Sequence, residues 1–183
     1  MCGLTGILGG SHSPREREEI VRRMSATLTH RGPDGEGWAC AGSCVLGFRR
    51  LAIIDPDAAS PPIANEDETV WCAANAEIYN GDELRAGLEA RGHTLRTEVD
   101  TEVIPHLYEE LGTALVDRLN GMFALAVWDA PRERLLLARD RAGEKPLYYW
   151  QGDGELVFAS ELRALLAHPR IACEVDPVGL RRY

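Results

Sequence analysis

Nowhere in this chain does an apolar run approach the ~18 residues that a membrane-spanning helix requires. Its start, MCGLTGILGG, lacks the basic residues and sustained apolar stretch of a secretory signal. Both absences point to a cytoplasmic protein with no membrane partner. Tracts of positive charge are also missing: 20 basic against 29 acidic residues leave a formal net charge of −9, with arginine scattered along the sequence. Nucleic acid is therefore excluded as a partner. Cysteine is sparse, and an odd count of 5 (Cys2, Cys40, Cys44, Cys72 and Cys173) cannot pair completely within one chain, which fits free thiols in a reducing compartment. Cys40 and Cys44 with Cys72 fall short of the four tightly paired ligands of structural zinc, so no metal is expected. The histidines at 12, 30, 93, 106 and 168 are dispersed, and no Ser-His-Asp or Cys-His arrangement can be read from their spacing. A glycine-rich phosphate loop followed by Lys-Ser or Lys-Thr is lacking, as is a Ser-Gly-Gly signature, so nothing in these residues binds ATP. Internal repeats and low-complexity stretches are absent as well.

What is present is enough apolar material for one sizeable core: 45% hydrophobic and 27% charged residues over 183 positions read as a single domain, 1–183. Cys2 to Leu8, closed by Gly9 and Gly10, predicts a buried strand almost at the terminus. Ser13 before Pro14, with Ile20, Val21, Met24 and Leu28 at helical spacing, predicts a first helix capped by Ser13. Strand patterns follow at Gly37–Cys40, Cys44–Phe48, Leu51–Ile54 and Thr69–Ala74. Asn80 and Glu83 form a capping-box pattern for a second helix. A third helix is expected from Asp100 toward Glu110, with Pro105 removing one hydrogen bond and inviting a kink. Met122–Trp128 and Arg134–Ala138 flank Asp129-Ala-Pro-Arg as a hairpin; strands at Leu147–Trp150 and Leu156–Ala159 and a short helix at Glu161–Leu166 complete the pattern. Short strands joined by tight turns, with helices outside the strand runs, predict an α+β domain of mostly antiparallel sheet. The closing VDPVGLRRY begins like a helix and carries no stop signal, so the natural polypeptide is expected to continue past Tyr183.

Cys2 sits between the initiator Met1 and Gly3, and a small second residue permits removal of that methionine. The product would hold a nucleophile and a base on one residue. A thiol of pKa near 8.5 is only a few per cent ionised at neutral pH, whereas an α-amine of pKa about 7.7–8.0 is roughly 10–20% neutral and can accept the thiol proton. Such a site requires no histidine. Position alone does not establish a catalyst, and by itself favours Cys2 as a small buried residue at a strand start.

The remaining motifs decide between those readings. MCGLTGI, HRGPDGEGW (30–38), RRLAIID (49–55), NAEIYN (75–80), VDTEVI (99–104), GMFALAVWD (121–129) and ARDRAGEKPLYY (138–149) resemble, in order and over nearly the whole chain, the glutaminase domain of class II amidotransferases, above all the glutamine-hydrolysing asparagine synthetases. This resemblance implies an N-terminal-nucleophile hydrolase, an αββα sandwich of mostly antiparallel sheets flanked by helices. It implies that Cys2 attacks the side-chain amide of L-glutamine, forms a thioester and releases ammonia and then glutamate. It places Arg50 on the substrate α-carboxylate, a role suited to a forked guanidinium, with Arg49 facing the other way if the segment is extended. Leu51, Ile53 and Ile54 then line the pocket, Glu77 and Asp100 hold the α-amine, and Asn75 with the N–H of Ala76 forms the oxyanion hole. Asp100 could equally serve as a helix cap.

The motif departs from the family's usual Asn-Gly-Glu at Ala76; were a left-handed backbone demanded there, alanine would add about 1–2 kcal/mol of strain. Phe48, Val99 and Pro105 are further departures, and Arg31 in the Arg-Gly-Pro-Asp turn is assigned a structural role. The same resemblance makes this chain a glutaminase fragment whose ammonia passes to an absent C-terminal synthetase domain, which would use ATP and Mg to convert aspartate to asparagine. No cofactor is expected in the present domain; a homodimer is compatible with it. The alternative is a regulatory or scaffolding domain that keeps the fold and hydrolyses little glutamine.

Overall fold

The computed structural model describes residues 1–53 and 61–182. Two antiparallel sheets lie between helical layers. The first has five strands, β1 (Gly3–Gly9), β2 (Gly35–Ala41), β3 (Cys44–Arg50), β8 (Tyr148–Gly152) and β9 (Glu155–Ala159), in the order β2-β3-β1-β9-β8. The second has four, β4 (Ile63–Ala64), β5 (Val70–Ile78), β6 (Gly121–Asp129) and β7 (Arg134–Arg139), in that order. Helices α1 (Pro14–Ala26) and α4 (Leu162–Leu165) cover the first sheet; α2 (Gly81–Ala90) and α3 (Val103–Leu111) cover the second. The exposed α5 (Pro177–Arg182) ends the described chain.

Strand alternation sorts the apolar residues into three layers. In β3, Val45 packs with Ile7, Ile20, Val21 and Met24 beneath α1, whereas Leu46 and Phe48 point to the other face. In β6, Phe123, Leu125 and Val127 join Val103, Ile104 and Leu107 beneath α3, while Ala124, Ala126 and Trp128 face the first sheet. Between the sheets, the large Leu4, Leu46, Phe48 and Phe158 of one meet the small Ala73, Ala124 and Ala126 of the other. This is the interlocking of large against small that close packing requires.

Most local expectations hold. Ser13 caps α1 in a complete capping box with Glu16, and Pro14 opens the helix. The β6–β7 hairpin closes in register at Asp129 and Arg134. Three readings need correction. The Asn80–Glu83 capping box does not form: Asn80 precedes α2 without a capping hydrogen bond, because its Nδ2 donates to the Arg118 carbonyl at 3.0 Å and its Oδ1 accepts from the Asn120 N–H. The strand expected over Leu51–Ile54 is not found at 51–53: β3 stops at Arg50, residues 51–53 are irregular, and Ile54 lies outside the described residues. Pro105 falls in the first turn of α3, after a 3-10 turn at Asp100–Glu102, where a missing N–H leaves no helical bond unmade.

Gly6 lies opposite Phe158 in the β1–β9 register, and a Cβ at Gly6 would collide with that ring. Overpacking of this kind costs about 1–3 kcal/mol. Gly6→Ala is therefore expected to lower stability by that amount, seen as a lower urea midpoint with an unchanged slope; an unchanged midpoint would show that Phe158 moves aside freely.

Candidate active site

The same alternation that builds the inner layer carries polar residues to one end of it. Cys2 continues the inward parity of Leu4 at the start of β1, and Arg50 continues that of Leu46 and Phe48 at the end of β3. Asn75 and Glu77 continue that of Ala73 on β5. Together with Phe48, Leu51, Ile53, Ala76, Asp100 and Lys145 they line a cleft of about 690 Å³, its open mouth included. All the site residues expected from the sequence thus meet in one place, apart from Ile54 outside the described residues. Ile53, 70% exposed, sits at the rim. Arg49 has the opposite facing: its guanidinium donates to the Ser25 carbonyl of α1 and pairs with Glu36 at 2.7 Å.

Cys2 is held at its thiol by a backbone N–H and at its carbonyl by a guanidinium. Leu51 N–H donates to Cys2 Sγ at 3.4 Å, and the Cys2 carbonyl accepts from Arg31 Nε at 2.9 Å. Arg31 is itself fixed by Glu161 at 3.1 Å, which also meets His30 at 3.0 Å. Burial pushes the Glu161 carboxyl up, but the hydrogen bonds and charges of His30 and Arg31 prevail and hold it below the usual range. The Arg31-Gly-Pro-Asp34 turn does more than order a loop. Asp34 Oδ2 accepts from Ala52 N–H at 2.9 Å and Asp34 N–H donates to the Arg50 carbonyl, so one turn braces both the thiol and the segment after β3. Gly32 is needed for this approach, since a Cβ there would meet the Arg49 backbone.

Across the cleft, Asn75 is 2% exposed and its Nδ2 is a buried donor with no partner. Such a group costs about 1–3 kcal/mol unless an acceptor arrives. The Ala76 N–H can be placed from the register. Ala76 lies opposite Phe123, whose N–H and carbonyl both bond Asp140, so this is a non-hydrogen-bonded pair and the Ala76 N–H points away from β6. Ile78, two residues on, points its N–H the same way and donates to Asp100 Oδ2 at 2.7 Å. At this edge β4 pairs only with Trp71 and Cys72. Ala76 belongs to extended β5 and is not among the residues with positive φ, which removes the expected strain: alanine fits here as a strand residue. Burial raises the Asp100 carboxyl above the usual aspartate range; the Ile78 hydrogen bond opposes this, and the neighbouring Glu77 charge adds to it.

Lys145 was not singled out in the sequence, although a signal exists: it is the only lysine of the chain, every other basic residue being arginine. It is 7% exposed in the cleft, on a segment whose backbone N–H groups at Glu144 and Lys145 are gathered by Asp140. No histidine is paired with the Cys2 thiol among the described residues; His30 is turned to Glu161.

Two facing antiparallel sheets between helical layers, with a thiol at the head of a central strand, define the architecture of N-terminal-nucleophile hydrolases. The sequence matches the glutamine amidotransferase domain family over residues 1–183, and the chain belongs to that family. It is 42% identical over 172 residues to asparagine synthetase [glutamine-hydrolyzing] 2 of Bacillus subtilis (strain 168), covering 92% of this chain and 23% of that protein. A second relative in B. subtilis, asparagine synthetase [glutamine-hydrolyzing] 3, is 40% identical over 98% of this chain and 30% of its own length. Asparagine synthetase [glutamine-hydrolyzing] 2 of Arabidopsis thaliana is 44% identical over 90% and 28%. The chain thus spans about a quarter of the length of the relatives it matches. In fold it is similar to the glutamine phosphoribosylpyrophosphate amidotransferase of B. subtilis, with a TM-score of 0.74 at 22% identity over 91% of this chain and 43% of that one.

Arg31→Ala would strip the Cys2 carbonyl and Glu161 of a shared partner. The expected loss is about 1–3 kcal/mol in chemical denaturation, with Arg31→Lys recovering less than half because an ammonium cannot reproduce the fork. Equal stability of all three proteins would remove Arg31 from the support of the site.

Proposed function

We propose that this chain hydrolyses the side-chain amide of L-glutamine to glutamate and ammonia through a thioester on Cys2. The observation that carries the reading is the Cys2 thiol sharing one cleft with the unpartnered Asn75 Nδ2, the Arg50 guanidinium and the Glu77 and Asp100 carboxylates.

Loss of Met1 frees the α-amine beside the sulfur, directly or through a water, and that amine takes the thiol proton. The sulfur adds to the amide carbon, and the carbonyl oxygen becomes an anion facing Asn75 Nδ2 and the Ala76 N–H. Collapse breaks the C–N bond as the α-ammonium returns its proton to the departing nitrogen, releasing ammonia and leaving the thioester. Water then adds to the thioester with the amine again as base; the C–S bond breaks, the sulfur regains its proton and glutamate leaves. Arg50 receives the α-carboxylate, and Glu77 with Asp100 receives the α-ammonium, so a zwitterion is met by both signs of charge. Lys145 adds a second cation to the same cleft. No metal or organic cofactor takes part in this sequence.

The relatives support a larger activity. This domain delivers ammonia to a C-terminal synthetase domain of a longer cytoplasmic polypeptide, where ATP and Mg support conversion of aspartate to asparagine; a homodimer is compatible with that arrangement.

Mass spectrometry of the cellular protein should show Met1 lost. Glutamate release from glutamine should vanish in Cys2→Ala and fall about 10²–10³-fold in kcat in Asn75→Ala; turnover that survives Cys2→Ala would overturn the assignment. A pH series tests the carboxylates. Because Asp100 is protonated at higher pH than an ordinary aspartate, KM for glutamine should rise on the acid side before that range is reached. Asp100→Asn should raise KM throughout and flatten this limb, and an unchanged acid limb would exclude Asp100 from ammonium binding.

A further inference from the structure

Far from the cleft, three residues that the sequence keeps apart converge on the helical side of the first sheet. Glu155 opens β9 opposite Gly9 of β1, His12 lies in the loop that follows β1, and His168 follows α4. That loop turns on Gly9 and Gly10, both at φ +76°, and a Cβ on Gly10 would press to 2.6 Å from Glu155 Oε1. The chain is thus shaped to bring His12 over the carboxylate. His168 Nε2 stands 3.2 Å from Glu155 Oε2, and His12 Nε2 stands 4.0 Å from Glu155 Oε1.

The side chains of Glu155 and His168 are fully buried, yet neither carboxylate oxygen, nor His168 Nε2, nor His12 Nε2, makes a hydrogen bond. Four orphaned polar atoms facing one another, with donor atoms of the three residues within 4.8 Å, are costly without a cation between them. The comparable group Glu66, His93 and His106 is different: Glu66 accepts from Thr94 N–H and meets both rings, His93 also reaches Glu110, and only His106 Nε2 is left over. That group satisfies itself with protons.

We propose that His12, Glu155 and His168 bind a divalent transition-metal ion, zinc being the ion best suited to two imidazoles and one carboxylate. Ligands about 2.0–2.2 Å from a tetrahedral zinc lie roughly 3.4 Å from one another, and the two measured separations bracket that spacing. Arg170 N–H donates to His168 Nδ1 at 3.3 Å, which puts the ring proton on Nε2 in the metal-free protein. Ligation moves that proton to Nδ1 and exchanges one long hydrogen bond, from an exposed residue, for a metal–nitrogen bond. His12, whose side chain is 15% exposed, is the entry side and leaves a fourth position to water. The ion would tie the start of the chain to the segment after α4. None of its ligands lines the Cys2 cleft, so its role is structural.

The test is titration of the metal-free 183-residue chain with zinc against a chromophoric chelator, repeated with cobalt(II) as a spectroscopic probe. One equivalent should bind, with cobalt ligand-field bands of nitrogen and oxygen donors and no thiolate charge-transfer band; Cys40 and Cys173 are the exposed thiols that would produce one. His12→Ala and Glu155→Gln should each weaken binding at least tenfold and abolish a zinc-dependent rise in Tm. His12 is partly exposed, so its variant keeps the test readable if the buried substitution does not fold. Zinc affinity unchanged in His12→Ala, a thiolate-dominated cobalt spectrum, or no binding by the parent chain would overturn the proposal, the last leaving a cluster bridged by protons alone.

Discussion

Everything at the cleft depends on β1 being a central strand paired on both edges. Its register with β3 and β9 runs from Gly3 opposite Arg49 to Gly9 opposite Glu155. Side chains alternate with period two, so a slip of one residue would send Cys2 beneath α1 and put Thr5, which now bonds Ser25 on that side, into the inner layer. The register resists such a slip because Leu4 is fully buried between the sheets and Gly6 is covered by the Phe158 ring. A reactive group at a chain end would ordinarily fray. Here the Leu51 N–H and the Arg31 guanidinium hold it.

In the proposed reading, a chain with net charge −9 meets a zwitterion with both signs of charge. Arg50 and Lys145 are nearly excluded from solvent, whereas Glu77 and Asp100 retain partial access at the β5 edge. The Asp100 carboxyl already accepts one backbone N–H, which organises the loop before α3 without using up both oxygens. Asn75 bears the cost of an unmet donor in the resting protein. In the proposed reaction this donor meets the developing negative charge, and a preorganised donor needs no rearrangement when that charge appears.

Local signals were legible where the decisive partner is close in sequence. Ser13 and Glu16 cap α1 because each reaches the other within one turn, and the β6–β7 hairpin is written in the residues of its own loop. The Asn80 cap failed for the opposite reason: Arg118 and Asn120, some 40 positions away, compete for the same side chain and win it. Ala76 looked suspect against a motif that usually holds glycine. Its pairing with Phe123 across β5 and β6 shows that a strand residue is all the position asks for.

Read alone, the amino-acid order determines a cysteine beside Met1, the acidic and amide residues spaced along the chain after it, and the alternation that makes strands two-faced. Those properties are local, set by neighbours along the chain. Tertiary structure alone decided that Asn75 Nδ2 is left without a partner, that the one lysine enters the cleft, and that histidines 156 positions apart share a buried carboxylate. Each of these depends on which strands become neighbours and in what register, and pairing energies between distant segments, summed over both sheets, carry no signature in any single stretch of sequence.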